Sequence, residues 1–253
     1  MNPFSVEGKI ILVTGASSGI GKQIAETLSN QGASVILVGR NKEKLNETLN
    51  STANKDRHVV ETFDLSNIDE IPAWMKRIVE KTGKPINGVV HAAGYHSTIP
   101  LRVLSYKSMN EIMTINLYAG LAMLRGCANK KIFAPKSSFV FISSVMGLVG
   151  QPGVVSYVAS KGAIVSAVKA AALEFANLGT RVNCICPGMV ETDMAEDLFS
   201  NLSSEQKSSI EKQHPLGMGT PADVAYAASY LISDASRWVT GTSLVVDGGY
   251  TSH

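Results

Sequence analysis

A chain of 253 residues, 45% hydrophobic and 17% charged, has the size and composition of a folded protein with a sizeable core. Its net charge of +2 is too balanced to argue for a nucleic-acid surface. No stretch approaches the roughly 18 uninterrupted apolar residues of a membrane span, and the first residues, MNPFSVEGKIILVTG, do not read as a secretory leader. A cytoplasmic protein with no membrane partner is the default expectation.

Seven short β-branched runs follow one another along the chain: 9–14 (KIILVT), 34–38 (SVILV), 58–63 (HVVETF), 88–92 (GVVHA), 138–142 (SFVFI), 181–186 (RVNCIC) and 243–246 (SLVV). Several are apolar on both alternating faces, as parallel strands covered by helices on both sides require. Between them the periodicity predicts helices over 20–31, 42–49, 70–81, 109–129, 156–177 and 223–232. Gly32 offers a stop after the first and Pro221 an entry to the last. Alternating strands and helices imply an α/β fold: one doubly wound, Rossmann-type parallel sheet of seven strands with helices on both faces, in a single domain over 1–253. The polar, Met-containing stretch 192–215, flanked by Pro187 and Pro215, reads as a flexible or helical flap. Cys127, Cys184 and Cys186 give no disulfide framework. Cys184 and Cys186 alternate along a strand and read as small apolar residues on one face. No His or Cys flanks the pair, so no metal site is expected.

The turn Thr14-Gly15-Ala16-Ser17-Ser18-Gly19-Ile20-Gly21 joins the first strand to the first helix. Its glycines allow a close backbone approach, and the helix N-terminus offers free N–H groups to a pyrophosphate. The spacing is Gly-x-x-x-Gly-x-Gly, not the commoner Gly-x-Gly-x-x-Gly. Where NAD-specific folds place an acidic residue after the second strand, this chain has Gly39 and Arg40. A guanidinium there suits a 2′-phosphate, with Ser17 and Ser18 as neutral donors, so NADP(H) is favoured over NAD(H). Asp64 can accept a bond from an adenine amino group or simply serve its own turn.

Tyr157 and Lys161 lie four residues apart in a helical segment and share one face. A neighbouring ammonium favours phenolate, so the expectation is a lowered Tyr157 pKa and a group able to exchange a proton near neutrality. Ser144 ends a strand one loop earlier, where ligands of open α/β sheets sit, and is placed to bond a developing alkoxide.

With those motifs in place, the chain resembles the short-chain dehydrogenase/reductase family. The resemblance runs through TGASSGIG (14–21), DLS (64–66), AAG (92–94), INL (115–117), ISS (142–144), YVASK (157–161), PGMVETDM (187–194) and VDGG (246–249). It implies a catalytic tetrad of Asn116, Ser144, Tyr157 and Lys161. Tyr157 would be the acid/base, Ser144 would hold the substrate oxygen, and Lys161 would bond the nicotinamide ribose. Asn116 would hold a water that links Lys161 to solvent. Cofactor contacts are implied along the turn (Gly15, Ser17, Ser18, Gly19, Ile20, Gly21), at Arg40, Asp64 and Leu65, and at Ala93 and Gly94. Further contacts fall at Pro187, Gly188, Val190 and Thr192, and residues 189–215 would form a substrate flap. One departure is Ala92-Ala93-Gly94 where the family usually has Asn-Ala-Gly, which puts a sheet-bracing Asn in doubt. The activity implied is ketone–alcohol interconversion with a small-molecule substrate, by a homotetramer. A 3-oxoacyl thioester reductase heads the readings. A reductase of a keto-sugar, polyol or other small metabolite is the alternative, and a non-catalytic NADP(H) sensor the third.

Overall fold

Apolar residues that alternate between two covered faces are what the computed structural model contains; it describes residues 2–200 and 203–252. The strands are β1 (Ile10–Thr14), β2 (Ser34–Gly39), β3 (Val59–Thr62), β4 (Ile86–His91), β5 (Phe133–Ile142), β6 (Arg181–Pro187) and β7 (Ser243–Val246). They form one parallel sheet in the order β3-β2-β1-β4-β5-β6-β7. The helices are α1 (Gly19–Asn30), α2 (Lys42–Ser51), α3 (Ile71–Thr82), α4 (Tyr106–Met113), α5 (Ala119–Cys127), α6 (Val155–Phe175), α7 (Asp193–Ser200), α8 (Ser204–Lys212) and α9 (Pro221–Ile232).

Each strand divides its side chains between two cores. Ile10, Leu12, Ile36, Val38, Val89, Phe139, Phe141, Val182, Cys184 and Cys186 point to the layer of α3, α5 and α6. Ile11, Val13, Val35, Leu37, Val90, Val140, Ile142 and Ile185 point to the layer of α1, α2 and α9. The paired cysteines are therefore packing residues, as their alternation suggested. The chain runs outward from β1 to β3, then crosses back to β4 and runs the other way. That reversal opens a crevice at the carboxyl ends of β1 and β4, where such sheets take ligands.

Two helix expectations need correction. The 109–129 segment is not one α-helix. It is α4, a wide π-type turn over Thr114–Tyr118 in which the Ala119 N–H reaches back to the Thr114 carbonyl, and then α5. Periodicity cannot register one extra residue in a turn, but the insertion rotates everything before it relative to α5. The 156–177 helix starts at Val155 and tightens into a 3-10 turn over Ala176–Leu178 before Gly179 turns left-handed. Among the described residues, the stretch after Thr192 carries the helices α7 and α8. His214 ties its far end to its near end, because Nε2 accepts from the Met189 N–H at 3.1 Å and Nδ1 lies 2.8 Å from the Ile210 carbonyl oxygen.

Candidate active site

The turn after β1 is closed too tightly for any residue but glycine at two points. A Cβ on Gly21 would sit 2.3 Å from the Gly15 carbonyl oxygen, and one on Gly15, at φ +67, would sit 2.9 Å from the Ala93 nitrogen. Ser18 precedes α1 in extended conformation without capping it through its side chain, and the first helical turn carries no acidic residue. The N–H groups and the positive end of the helix dipole are thus available to an anion. They open onto a cleft of about 910 Å³, lined by Gly15, Ser17, Ser18, Gly19, Ile20, Gly21, Gly39, Arg40, Asp64, Leu65, Ala93, Gly94 and Thr192. That volume lies within the roughly 300–1,000 Å³ of small-molecule sites.

Arg40 is exposed at the cleft edge. Asp64 already serves its own turn, since Oδ1 accepts from the Ser66 N–H at 2.9 Å. That bond, a contact with the Ser66 side chain and the Arg40 charge hold its carboxyl below the usual range. The structure does not bring the whole expected nicotinamide segment to the cleft. Thr192 lines it, but Val190 is buried and bridged to Gly219. A Cβ on Gly188 would meet Asp247 at 2.9 Å and His214 at 3.1 Å, so that glycine packs against the C-terminal turn. Pro187 ends β6 in a buried position.

Gly94 carries the cleft wall to the second cluster: a Cβ there would lie 2.9 Å from Asn116 Oδ1 and 3.5 Å from Lys161 Nζ. The first turns of α6 present Tyr157 and Lys161. They are pinned from below by Ser143, whose hydroxyl donates to the Lys161 carbonyl at 2.9 Å. Lys161 Nζ donates to the Ile142 carbonyl at the end of β5 at 2.8 Å and lies 5.6 Å from the Tyr157 ring centroid. Burial lowers the lysine pKa to about 8. Ser144 accepts from the Met146 N–H at 3.1 Å, so it caps a turn as well as facing the site.

The expected lowering of the Tyr157 pKa is overturned. Burial pushes the phenol above its ordinary value, and only the Ser144 hydroxyl pulls it down. The physical reason is that the ammonium, over the ring at 5.6 Å from its centroid, is spent on the Ile142 carbonyl, while the phenol is buried away from water. Proximity in sequence overstated the charge effect and left out desolvation.

Asn116 sits in the π-type turn and is fully buried. Its Oδ1 accepts from the Tyr95 N–H at 3.0 Å, and its Nδ2 donates to the Tyr95 carbonyl at 3.2 Å and to Ser160 Oγ at 3.0 Å. Both side-chain N–H groups are therefore taken up by protein, and Oδ1 keeps one lone pair beyond its bond from Tyr95.

Two supports went unread in the sequence. Ser160, one residue before Lys161, anchors Asn116. His91 ends β4, and its Nδ1 lies 3.0 Å from Thr14 Oγ1 and its Nε2 3.1 Å from the Ile115 carbonyl. A carbonyl only accepts, so Nε2 donates and Nδ1 accepts from Thr14, whose hydroxyl also accepts from the Ala93 N–H at 3.0 Å. This chain of bonds braces β1, β4 and the turn holding Asn116, one residue before the Ala92 that lacks the usual Asn. A histidine closing the apolar run Val89-Val90 was the available signal.

A family model described as enoyl-(acyl carrier protein) reductase matches residues 15–251. A 3-oxoacyl-(acyl-carrier-protein) reductase FabG of Rickettsia prowazekii is 35% identical over 243 residues, covering 96% of each chain. The chain belongs to the short-chain dehydrogenase/reductase family. It is an oxidoreductase of that family, acting on CH–OH and C=O groups with a nicotinamide cofactor. Its sheet order is that of a Rossmann-type short-chain dehydrogenase/reductase. Solved structures point to a different named chemistry. A protein of Beutenbergia cavernae described as an NAD(P)-dependent gluconate 5-dehydrogenase, with bound NADP, superposes with a TM-score of 0.90 at 30% identity over the whole of both chains. A protein of Agrobacterium tumefaciens described as a 2-deoxy-d-gluconate 3-dehydrogenase, also with NADP, gives 0.88 at 31% identity, again over both full chains. Among the described residues, no helix is long and apolar enough to cross a membrane.

Proposed function

We propose that this short-chain dehydrogenase/reductase interconverts a ketone and a secondary alcohol with NADP(H), using Tyr157 as the proton-exchanging group. The observation that carries the reading is the convergence of Tyr157, Ser144 and Lys161 at the carboxyl end of β5, joined through Gly94 to a glycine cradle and a helix N-terminus. The cradle fits a dinucleotide, because Gly15 and Gly21 leave the backbone bare where a pyrophosphate needs close approach. Arg40 stands where a 2′-phosphate would be bonded, and the NADP-bound neighbours support that preference.

Bound cofactor supplies or accepts the hydride. The residues do the rest: Ser144 bonds the substrate oxygen, and Tyr157 gives its proton to that oxygen on reduction or takes it on oxidation. Lys161, mostly protonated at neutral pH with its pKa of about 8, holds positive charge beside the phenol and offers donors toward a ribose. Asn116 fixes the Tyr95 backbone and Ser160, so it acts on the shape of the site. Residues 189–215 form the flap over the substrate within a single domain, 1–253.

The FabG relatives support a 3-oxoacyl thioester as substrate, and with it an acyl-carrier protein. The sugar-acid dehydrogenases among the solved structures support a small hydroxylated ketone instead. NADPH oxidation against 3-oxoacyl thioesters, free ketones and keto-sugars, with Tyr157→Phe beside the wild type, tests the reading. Turnover lost in the variant, with NADPH binding retained by fluorescence titration, is the expected result. Full turnover in the variant removes Tyr157 from the proton step.

We also propose a homotetramer. Tyr118, Leu121 and Val155 on one side and Leu173, Trp238 and Val245 on another are apolar and exposed, and second copies of the chain would cover them. A monomer by light scattering refutes it.

A further inference from the structure

The loop 95–100 after β4 sets a half-buried histidine beside Tyr157. His96 packs against Tyr157, with ring centroids 4.8 Å apart and planes at 71°. Among the described residues neither of its ring nitrogens has a hydrogen-bond partner, and burial alone perturbs it, lowering its pKa. Next to it, Ser97 Oγ is buried and also unpaired. The loop is not loose. The Ile99 N–H donates to the Gly153 carbonyl at 2.7 Å, and the Thr98 methyl is the neighbour a Gly153 Cβ would meet, at 3.2 Å. Loop 95–100 is thus docked on the segment that leads into α6 and Tyr157.

The His96 ring is half-buried, so its nitrogens stay open to a ligand or to water. A neutral imidazole offers one donor and one acceptor. Methylene groups of an acyl chain answer neither, whereas a hydroxyl answers either. With the two ring centroids 4.8 Å apart, the imidazole is a close neighbour of the phenol that would meet the substrate.

We propose that His96 is a specificity-determining residue that hydrogen-bonds a hydroxyl on the carbon next to the reacting carbonyl, so that the site selects α-hydroxy ketones over plain ketones and saturated acyl chains. The inference rests on the assignment of Tyr157 as the proton donor to the carbonyl oxygen. It deepens the sugar-type branch of that reading and weighs against the thioester branch.

The test uses two matched pairs with NADPH: 2-hydroxycyclohexanone against cyclohexanone, and hydroxyacetone against acetone. The readout is the ratio of kcat/KM within each pair, for the wild type, His96→Phe and His96→Gln. Sites that bond a substrate hydroxyl reject the analogue lacking it, so the wild type is expected to favour the hydroxylated ketone by roughly ten-fold or more. Phe keeps the ring packing against Tyr157 but has no donor or acceptor, and it is expected to abolish the preference whatever happens to the absolute rates. Gln, with a donor and an acceptor, is expected to keep part of it. A purely structural role for His96 would leave the ratio unmoved. An unchanged ratio in His96→Phe overturns the proposal, as does a wild type that reduces plain ketones at least as well or turns over neither hydroxylated one. If the wild type reduces ketones in a Tyr157-dependent way without that preference, only the role of His96 falls. If it binds NADPH and reduces no carbonyl in the wider panel, the carbonyl-reductase reading falls with it.

Discussion

Replacing His91 with Asn tests the brace beneath the site through its pH dependence. His91 is fully buried, and burial, with the charge of Lys161 next in weight, lowers its pKa from 6.5 to about 4. Because the folded value is depressed, the native state resists a proton that the unfolded chain accepts below 6.5. The stability this contributes is complete above pH 6.5 and is lost as pH falls toward 4. At 1.36 kcal/mol per pK unit, the loss from this one group is about 2 kcal/mol between pH 7 and pH 5, and about 3 kcal/mol by pH 4. Asn does not titrate, so the His91→Asn protein should lack that part of the slope. Asn is also shorter and cannot span Thr14 and the Ile115 carbonyl together, which should cost about 1–2 kcal/mol at pH 7. Urea unfolding of both proteins at pH 7 and pH 5 measures the difference of differences. The wild type should lose about 2 kcal/mol more than the variant on acidification. Equal losses in the two proteins would refute the reasoning, because the acid sensitivity would then lie elsewhere.

Arg40→Asp should shift the NADPH/NADH ratio of kcat/KM by at least roughly ten-fold toward NADH, since an acidic residue there repels a 2′-phosphate and can hold a ribose hydroxyl. An unchanged ratio would take Arg40 out of the cofactor site. Gly120→Ala should destabilise the protein by about 1–3 kcal/mol in thermal or urea unfolding, despite the better helix propensity of Ala. The added Cβ would stand 2.2 Å from Phe141 Cε1 and 2.9 Å from His91 Cδ2, and both residues are buried with no room to retreat. A more stable variant would show that α5 can lift away from the sheet without cost.

Much of the fold was legible because its signals are local. Strands covered on both faces must be apolar at successive positions, so all seven were readable from short runs, and the first turn was readable from glycines that nothing else can replace. The proposed tetrad could be picked out because Tyr157 and Lys161 lie on one helical turn and the motifs that hold the others are contiguous. Cys184 and Cys186 were correctly read as packing residues from their alternation alone.

What the sequence could not supply depends on distances between segments far apart in the chain. The π-type turn at Thr114–Tyr118 arises where α5 settles on the sheet and Asn116 is drawn to Tyr95 and Ser160; no pattern within 109–129 encodes those partners. The direction of the Tyr157 shift is the sum of a bond from Ser144 and a desolvation set by every element packed around it. Only the assembled structure fixes the second quantity, and it is the larger. The same holds for His91 and His96. Each is an unremarked histidine in the sequence; one becomes a brace by meeting Thr14 and Ile115, and the other is left with open hydrogen-bonding capacity against the Tyr157 phenol. Periodicity and spacing determine which residues a chain can present together over a few turns, whereas burial and long-range contact decide what chemistry those residues can perform.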